Sequence, residues 1–214
     1  MEQYVDILQE VGNIGIGNAA TALAEFLSAK IKVTVPQTDF VPVEEVFTRI
    51  GRAEELVAAI LLRVDGDLSG LVLFLFPEAS ARELIAQILG QPVAAIQELD
   101  DMEESVLLEI GNVLTGSFLN AVSAMTQLTI IPAVPLFTFD MLGAIINSSL
   151  LGTGMVEDQV LLIKTVLLQE GNGVSGDLLF FFDIGALDTL LNVLRIQLEN
   201  ISGRVIPCEA GTDR

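Results

Sequence analysis

The chain has 214 residues, 51% of them apolar, and 29 acidic against 10 basic side chains give it a net charge of −19. That is enough apolar material for one large domain or two closely packed halves, and so acidic a surface argues strongly against a nucleic-acid backbone or an anionic membrane as the main partner. With no histidine and with Cys208 alone, one chain cannot build a Cys/His zinc site, a Ser-His-Asp triad, a Cys-His dyad or a disulfide.

The lone thiol fits a reducing compartment, and the acidic start from Met1 to Asp6 has no basic signal-peptide region, so a cytoplasmic location is expected. The acidic surface suits a partner with a positive patch, or serves only to keep an apolar protein in solution.

Ile7, Val11, Ile14, Ala19, Leu23 and Phe26 recur at helical spacing and predict an amphipathic helix from Gln3 to Lys30. Gly12, Gly15 and Gly17 each cost about 1 kcal/mol in a helix interior, so each needs close packing or the close approach of a partner. The β-branched run Ile31 to Val35 predicts a strand stopped by Pro36. Strands over Phe40 to Ile50, Glu55 to Val64 and Leu68 to Phe76 form a predicted meander, with Asp65-Gly66-Asp67 as a turn. Pro77-Glu78 opens a helix to Leu89 with an apolar stripe of Leu84, Ile85 and Ile88.

The second half follows the same order. The acids Glu98, Asp100, Asp101, Glu103 and Glu104 suit the N-terminus of a helix from Met102 to Met125, and a strand to Pro135 follows. Leu128 to Gly152 carries only Asp140 as a charge, but Pro132 and Pro135 interrupt it, so it reads as a buried strand and a short helix from Asp140 to Leu151 rather than a membrane span. Gln159 to Leu168 and Gly176 to Phe182 predict a hairpin around Glu170-Gly171-Asn172-Gly173. A helix from Leu187 to Leu198 closes the chain; Leu187, Leu190, Leu191, Leu194 and Leu198 give it more apolar surface than one buried stripe requires.

One pattern is written twice, 99 residues apart: Asp6-x3-Glu10-x2-Asn13-x22-Pro36 and Ser105-x3-Glu109-x2-Asn112-x22-Pro135. A Glu, an Asn and a Pro at three fixed offsets match by chance roughly once in ten thousand starts, so two copies mark a duplicated unit. The hairpins align too, Leu68 to Phe74 on Val174 to Phe180 at an offset of 106. Residues 1–99 and 100–200 are therefore two repeats within one domain, and 201–214 a polar tail. Strands and helices segregate, so the expected class is α+β with pseudo-twofold symmetry, two long helices lying on an antiparallel sheet.

At ~100° per helical residue, Asp6, Glu10 and Asn13 form one stripe and Ser105, Glu109 and Asn112 its twin. Each offers a permanent negative charge and, one turn on, an amide that both donates and accepts. A solvated helix face needs only polar residues of any kind; here Glu and Asn recur identically, each Asn preceded by a glycine that strips bulk beside the amide.

These residues resemble the motif of the CheC/CheX/FliY family of chemotaxis phosphatases, and two intact copies in one short chain resemble the CheC branch. CheX-like proteins carry one site per subunit, and FliY adds a flagellar switch domain for which no residues remain after Leu198. The resemblance implies a substrate, the phospho-aspartate of the response regulator CheY. Asn13 or Asn112 would orient the attacking water, and Glu10 or Glu109 would pair with a lysine of the regulator. Asp6 and Ser105 would take helix-start and supporting roles, and Pro36 and Pro135 structural ones. No cofactor of its own is implied, since Mg²⁺ would come with CheY. The resemblance also implies the receptor deamidase CheD as a partner in a heterodimer of an otherwise monomeric chain. Asp188 and Asn192 on the last helix are the candidate contacts, and pure CheD regulation or a flagellar-switch role stand as alternatives.

Overall fold

A computed structural model describes residues 2–27, 31–90, 92, 99–153, 156–169 and 172–202. The first half runs α1 (Glu2–Leu27), β1 (Ile31–Pro42), a 3-10 turn (Val43–Glu45), α2 (Val46–Ile50), β2 (Leu56–Gly66), β3 (Gly70–Pro77) and α3 (Glu78–Leu89). The second runs α4 (Asp101–Thr126), β4 (Ile130–Pro132), β5 (Leu136–Met141), α5 (Leu142–Thr153), β6 (Val156–Gln169), β7 (Asn172–Asp183) and α6 (Ala186–Ser202). Glu98, the turn residues Glu170 and Gly171, Cys208 and residues 203–214 of the expected tail lie outside the described residues, while Ile201 and Ser202 belong to α6.

All strands join one antiparallel sheet in the order β1-β6-β7-β3-β2-β4, with β5 also on β2. The expected meander is not formed, because β1 pairs with β6 of the other half instead of β2. Exchanging β1 with β4 and β5, β2 with β6, and β3 with β7 reverses this order onto itself, which is the pseudo-twofold. The axis can be placed: Leu73 pairs with Leu179, and these two are each other's equivalents at the offset of 106.

Alternation along the strands divides the core between two faces. One face buries Ala58, Ile60, Leu62, Phe74, Phe76, Phe180 and Phe182 beneath α1, α3, α4 and α6. The other buries Val57, Ala59, Leu73, Leu75, Leu162, Leu179 and Phe181 against Val46 and α5. Both faces of β3 are covered, so it reads as a continuous apolar run.

Three expectations are corrected. Val43 to Ile50 is helical: Val43, Val46, Phe47 and Ile50 fall at i, i+3, i+4 and i+7 and pack on the second core face. The buried strand expected to run to Pro135 is instead two short strands at the sheet edge, β4 and β5, both largely or half exposed. Pro36 does not end its strand: β1 continues to Pro42, with a register shift between Thr34 and Gln37. Pro135 interrupts the opposite edge, between the pairing of Pro132 with Val64 and that of Leu136 with Leu61. Edge strands tolerate a residue without a donor, so both prolines mark the same break in two equivalent edges.

Candidate active site

The termini of α4 are specified locally. Asp100 caps it, its carboxylate accepting from the N–H groups of Met102 at 2.9 Å and Glu103 at 3.0 Å, while Glu103 accepts from the Asp100 N–H at 2.9 Å. This capping box takes the helix-start role expected of Ser105, whose hydroxyl instead donates back to the Asp101 carbonyl at 2.6 Å. α4 alone among the described helices is long and apolar enough to cross a membrane, but its apolar stripe of Leu107, Ile110, Leu114, Phe118 and Val122 is buried on the sheet.

α1 and α4 pack antiparallel. Gly15 lies against Ser117, Phe118 and Ala121, where an added Cβ would meet atoms at 2.8–3.0 Å, whereas Ile7 and Glu10 share a groove with Ala124 and Met125 further along α4. Leu8, Val11, Ile16 and Ala19 of α1 face inward. The opposite face of each helix carries the repeated motif.

Asp6, Glu10 and Asn13 are exposed on α1; Ser105 and Glu109 are exposed on α4, and Asn112 is half-buried. The side chains of Asp6, Glu10, Asn13, Glu109 and Asn112 make no hydrogen bond or ion pair with another described residue, which leaves each Glu and Asn available to a partner. Glu10 borders Ala124, and Glu109 sits fifteen residues earlier on α4. At 1.5 Å per residue, the two glutamates are about 22 Å apart along the helices.

The glycine before Asn112 has a purpose other than the one expected. Gly111 faces away from the amide, where a Cβ would lie 2.6 Å from Cγ1 and 2.8 Å from Cδ1 of Ile60; its missing side chain lets α4 sit down on β2. The groove beside Glu10 encloses about 580 Å³ and is walled by Ile7, Ile14, Ala121, Ala124 and Met125. Sequence reasoning missed it because it exists only where two distant helices meet: Ile14, counted there in the apolar stripe of the first helix, is exposed beside Asn13.

Two carboxyls away from the helices have displaced pKa values. Asp67, in the β2–β3 turn, is held below the usual range by the Thr129 N–H that donates to it at 2.8 Å. Asp177, on β7, is raised by burial, with Lys164 at 3.4 Å pulling it back down. No three His, Cys, Asp or Glu side chains among the described residues converge to hold a metal.

On the last helix Leu187, Leu190 and Leu194 are buried in the larger core and Leu191 packs against it, so these four leucines are used within the domain. Asp188, Asn192, Arg195 and Ile196 remain exposed.

The model of the CheC-like family matches residues 5–38 and 102–138, which between them contain both copies of the motif. The CheY-P phosphatase CheC of Bacillus subtilis is 37% identical over 173 residues, covering 80% of this chain and 83% of that protein. Among solved structures, Thermotoga maritima FliY superposes with a TM-score of 0.73 over 92% of this chain and 98% of that one at 18% identity. The FliM middle domain of H. pylori gives 0.62 over 90% and 99% at 10% identity, and both share the fold. The antiparallel sheet, the paired long helices and the extent of identity to the Bacillus protein together place this chain in the CheC-like family.

Proposed function

We propose that the protein is a phosphatase of phosphorylated CheY, with one site on α1 and a second on α4. The observation that carries this reading is the coincidence of 37% identity to a CheY-P phosphatase with two Glu–Asn pairs left unpartnered on exposed helix faces.

The chemistry required is modest. An acyl phosphate needs a water in line with the phosphorus, which then bonds to phosphorus as the aspartate oxygen leaves. Positioning that water accounts for most of what a second protein can add. Asn13 and Asn112 suit this because one amide accepts from the water while donating to a neighbouring oxygen. Glu10 and Glu109, one turn earlier on the same faces, suit an ion pair with a regulator lysine that fixes the docking. Mg²⁺ and most of the charge stabilisation belong to the regulator in this scheme, and the reaction is cytoplasmic, where response regulators act. The two halves, residues 1–99 and 100–200, then act as duplicated units of one domain.

CheD is the proposed second partner. Asp188, Asn192 and Ile196 are exposed at i, i+4 and i+8 on α6, a line free to bind it without occupying either Glu–Asn pair. Measuring the lifetime of phosphorylated CheY with and without the protein tests the main reading: a shortened lifetime supports it, and an unchanged one rejects it.

A further inference from the structure

Two glycines among the described residues serve neither packing nor a special backbone conformation. Every other glycine whose neighbours the structure defines is explained by its backbone or its packing. Gly51, Gly66, Gly70, Gly90 and Gly185 have positive φ, and a Cβ on Gly15, Gly111, Gly143 or Gly176 would collide with a neighbour. Gly17 and Gly116 are mid-helix, and an added Cβ would meet nothing within 4 Å. Both helices run on through these positions without interruption. Alanine would make either helix more stable.

Their positions coincide with the repeated motif. Gly17 is seven residues after Glu10 and four after Asn13, and Gly116 stands in the same relation to Glu109 and Asn112. Seven residues turn a helix through about 700°, within 20° of the starting direction, and four residues advance it about 6 Å. Each glycine therefore extends the Glu–Asn stripe by one turn. A protein partner covers about 800 Å² of its target, a patch roughly 30 Å across, so anything seated on Glu10 and Asn13 also covers Gly17. Bare backbone there allows closer approach than any side chain permits.

We propose that Gly17 and Gly116 are docking residues of the two phosphatase sites, kept without side chains so that the receiver domain bearing the acyl phosphate can lie directly on the helix. This rests on the reading of the Glu–Asn pairs as the sites of CheY-P hydrolysis. It assigns the glycines to affinity, not to the chemical step.

The test uses the full chain with Gly17→Ala and Gly116→Ala together, and with Gly17→Leu and Gly116→Leu together. Titration against CheY carrying beryllofluoride, a mimic of its acyl phosphate, gives Kd, and phosphate release gives kcat and KM. The alanine pair should melt higher by about 2–4 °C per site and yet bind CheY about fivefold more weakly. The leucine pair should lose at least about tenfold, by the same overpacking that penalises extra methylenes in a core, with the change in KM rather than kcat. An alanine pair that is more stable and unchanged in Kd and KM would overturn the proposal, whatever the leucine pair does. A wild-type chain that binds the beryllofluoride complex but releases no phosphate would reject the phosphatase reading alone, leaving the docking role to stand or fall on Kd. One that does neither rejects both.

Discussion

Adding a single methyl group at Gly111 and at Gly116 should have opposite effects on stability, although the two lie on the same helix. At Gly111 the new Cβ would sit 2.6 Å, 2.8 Å and 3.0 Å from Cγ1, Cδ1 and Cβ of Ile60. Ile60 is fully buried, and its strand is paired on both sides, with β3 and with β5. The side chain cannot retreat without moving the sheet, so overpacking near the upper end of its usual range, about 3 kcal/mol, is expected. Alanine's helix preference returns about 1 kcal/mol, for a net loss of about 2 kcal/mol. A chain of this size shifts by about 2–4 °C per kcal/mol, so Gly111→Ala should melt about 4–8 °C lower. Gly116→Ala, with open space at its Cβ, should melt about 2–4 °C higher. Thermal unfolding followed by circular dichroism reads both, and Ile60→Val should recover part of the loss when combined with Gly111→Ala. Stabilisation by both alanines would show that α4 does not rest on Ile60 at this glycine.

Asp100→Ala removes the acceptor of two N–H groups at the start of α4. It should cost about 1 kcal/mol, and hydrogen exchange should speed up selectively at residues 101–104. Lys164→Met leaves the partly buried Asp177 without its cation. Burial already raises this carboxyl, so the folded state holds its proton more tightly than the unfolded chain, and stability falls as pH rises from 3.8 through the raised pKa. Losing Lys164 widens that window. The variant should be about 1–2 kcal/mol less stable at pH 7, between the exposed and buried limits for an ion pair, and should regain part of the loss toward pH 4. A pH-independent loss in urea titrations would mean that the Lys164 contact with the Arg49 carbonyl, at 3.0 Å, matters more than the charge.

What the sequence revealed, and what it hid, follows the range of the interactions involved. The first long helix was legible because Ile7, Val11, Ile14 and Ala19 recur at helical spacing, although the buried stripe proves to be Leu8, Val11, Ile16 and Ala19 with Ile14 exposed; the second was legible from the acids at its start, and the repeat because Glu and Asn recur at fixed spacing. The pairing of β1 with β6 was not legible, since the partner strand lies more than a hundred residues away and no local pattern names it. Val43 to Ile50 was misread because its β-branched and aromatic composition outweighed an i, i+3, i+4, i+7 spacing that the core face of the sheet then used. Pro36 was taken as a stop because a proline ends an interior strand; at the edge, beside a register shift, it is accommodated. Gly12, Gly15, Gly17 and Gly111 were recognised as special but not told apart, and Gly116 was passed over. Packing sorts them: Gly15 lies against α4, Gly111 on Ile60, and Gly17 and Gly116 face open space.

The central claim is that the two asparagines carry the reaction, and it is tested most directly by the decay rate of phosphorylated CheY in the presence of Asn13→Ala, Asn112→Ala and the double variant. Both side chains lie on the outer faces of their helices and contact no other described residue through hydrogen bonds, so the fold should be native by circular dichroism in all three. An amide that acts in the transition state lowers kcat when removed. Each single variant should therefore keep partial activity through the remaining site, and the double variant should leave CheY to decay at about its own rate. A folded double variant that still accelerates the decay as the wild type does would contradict the account.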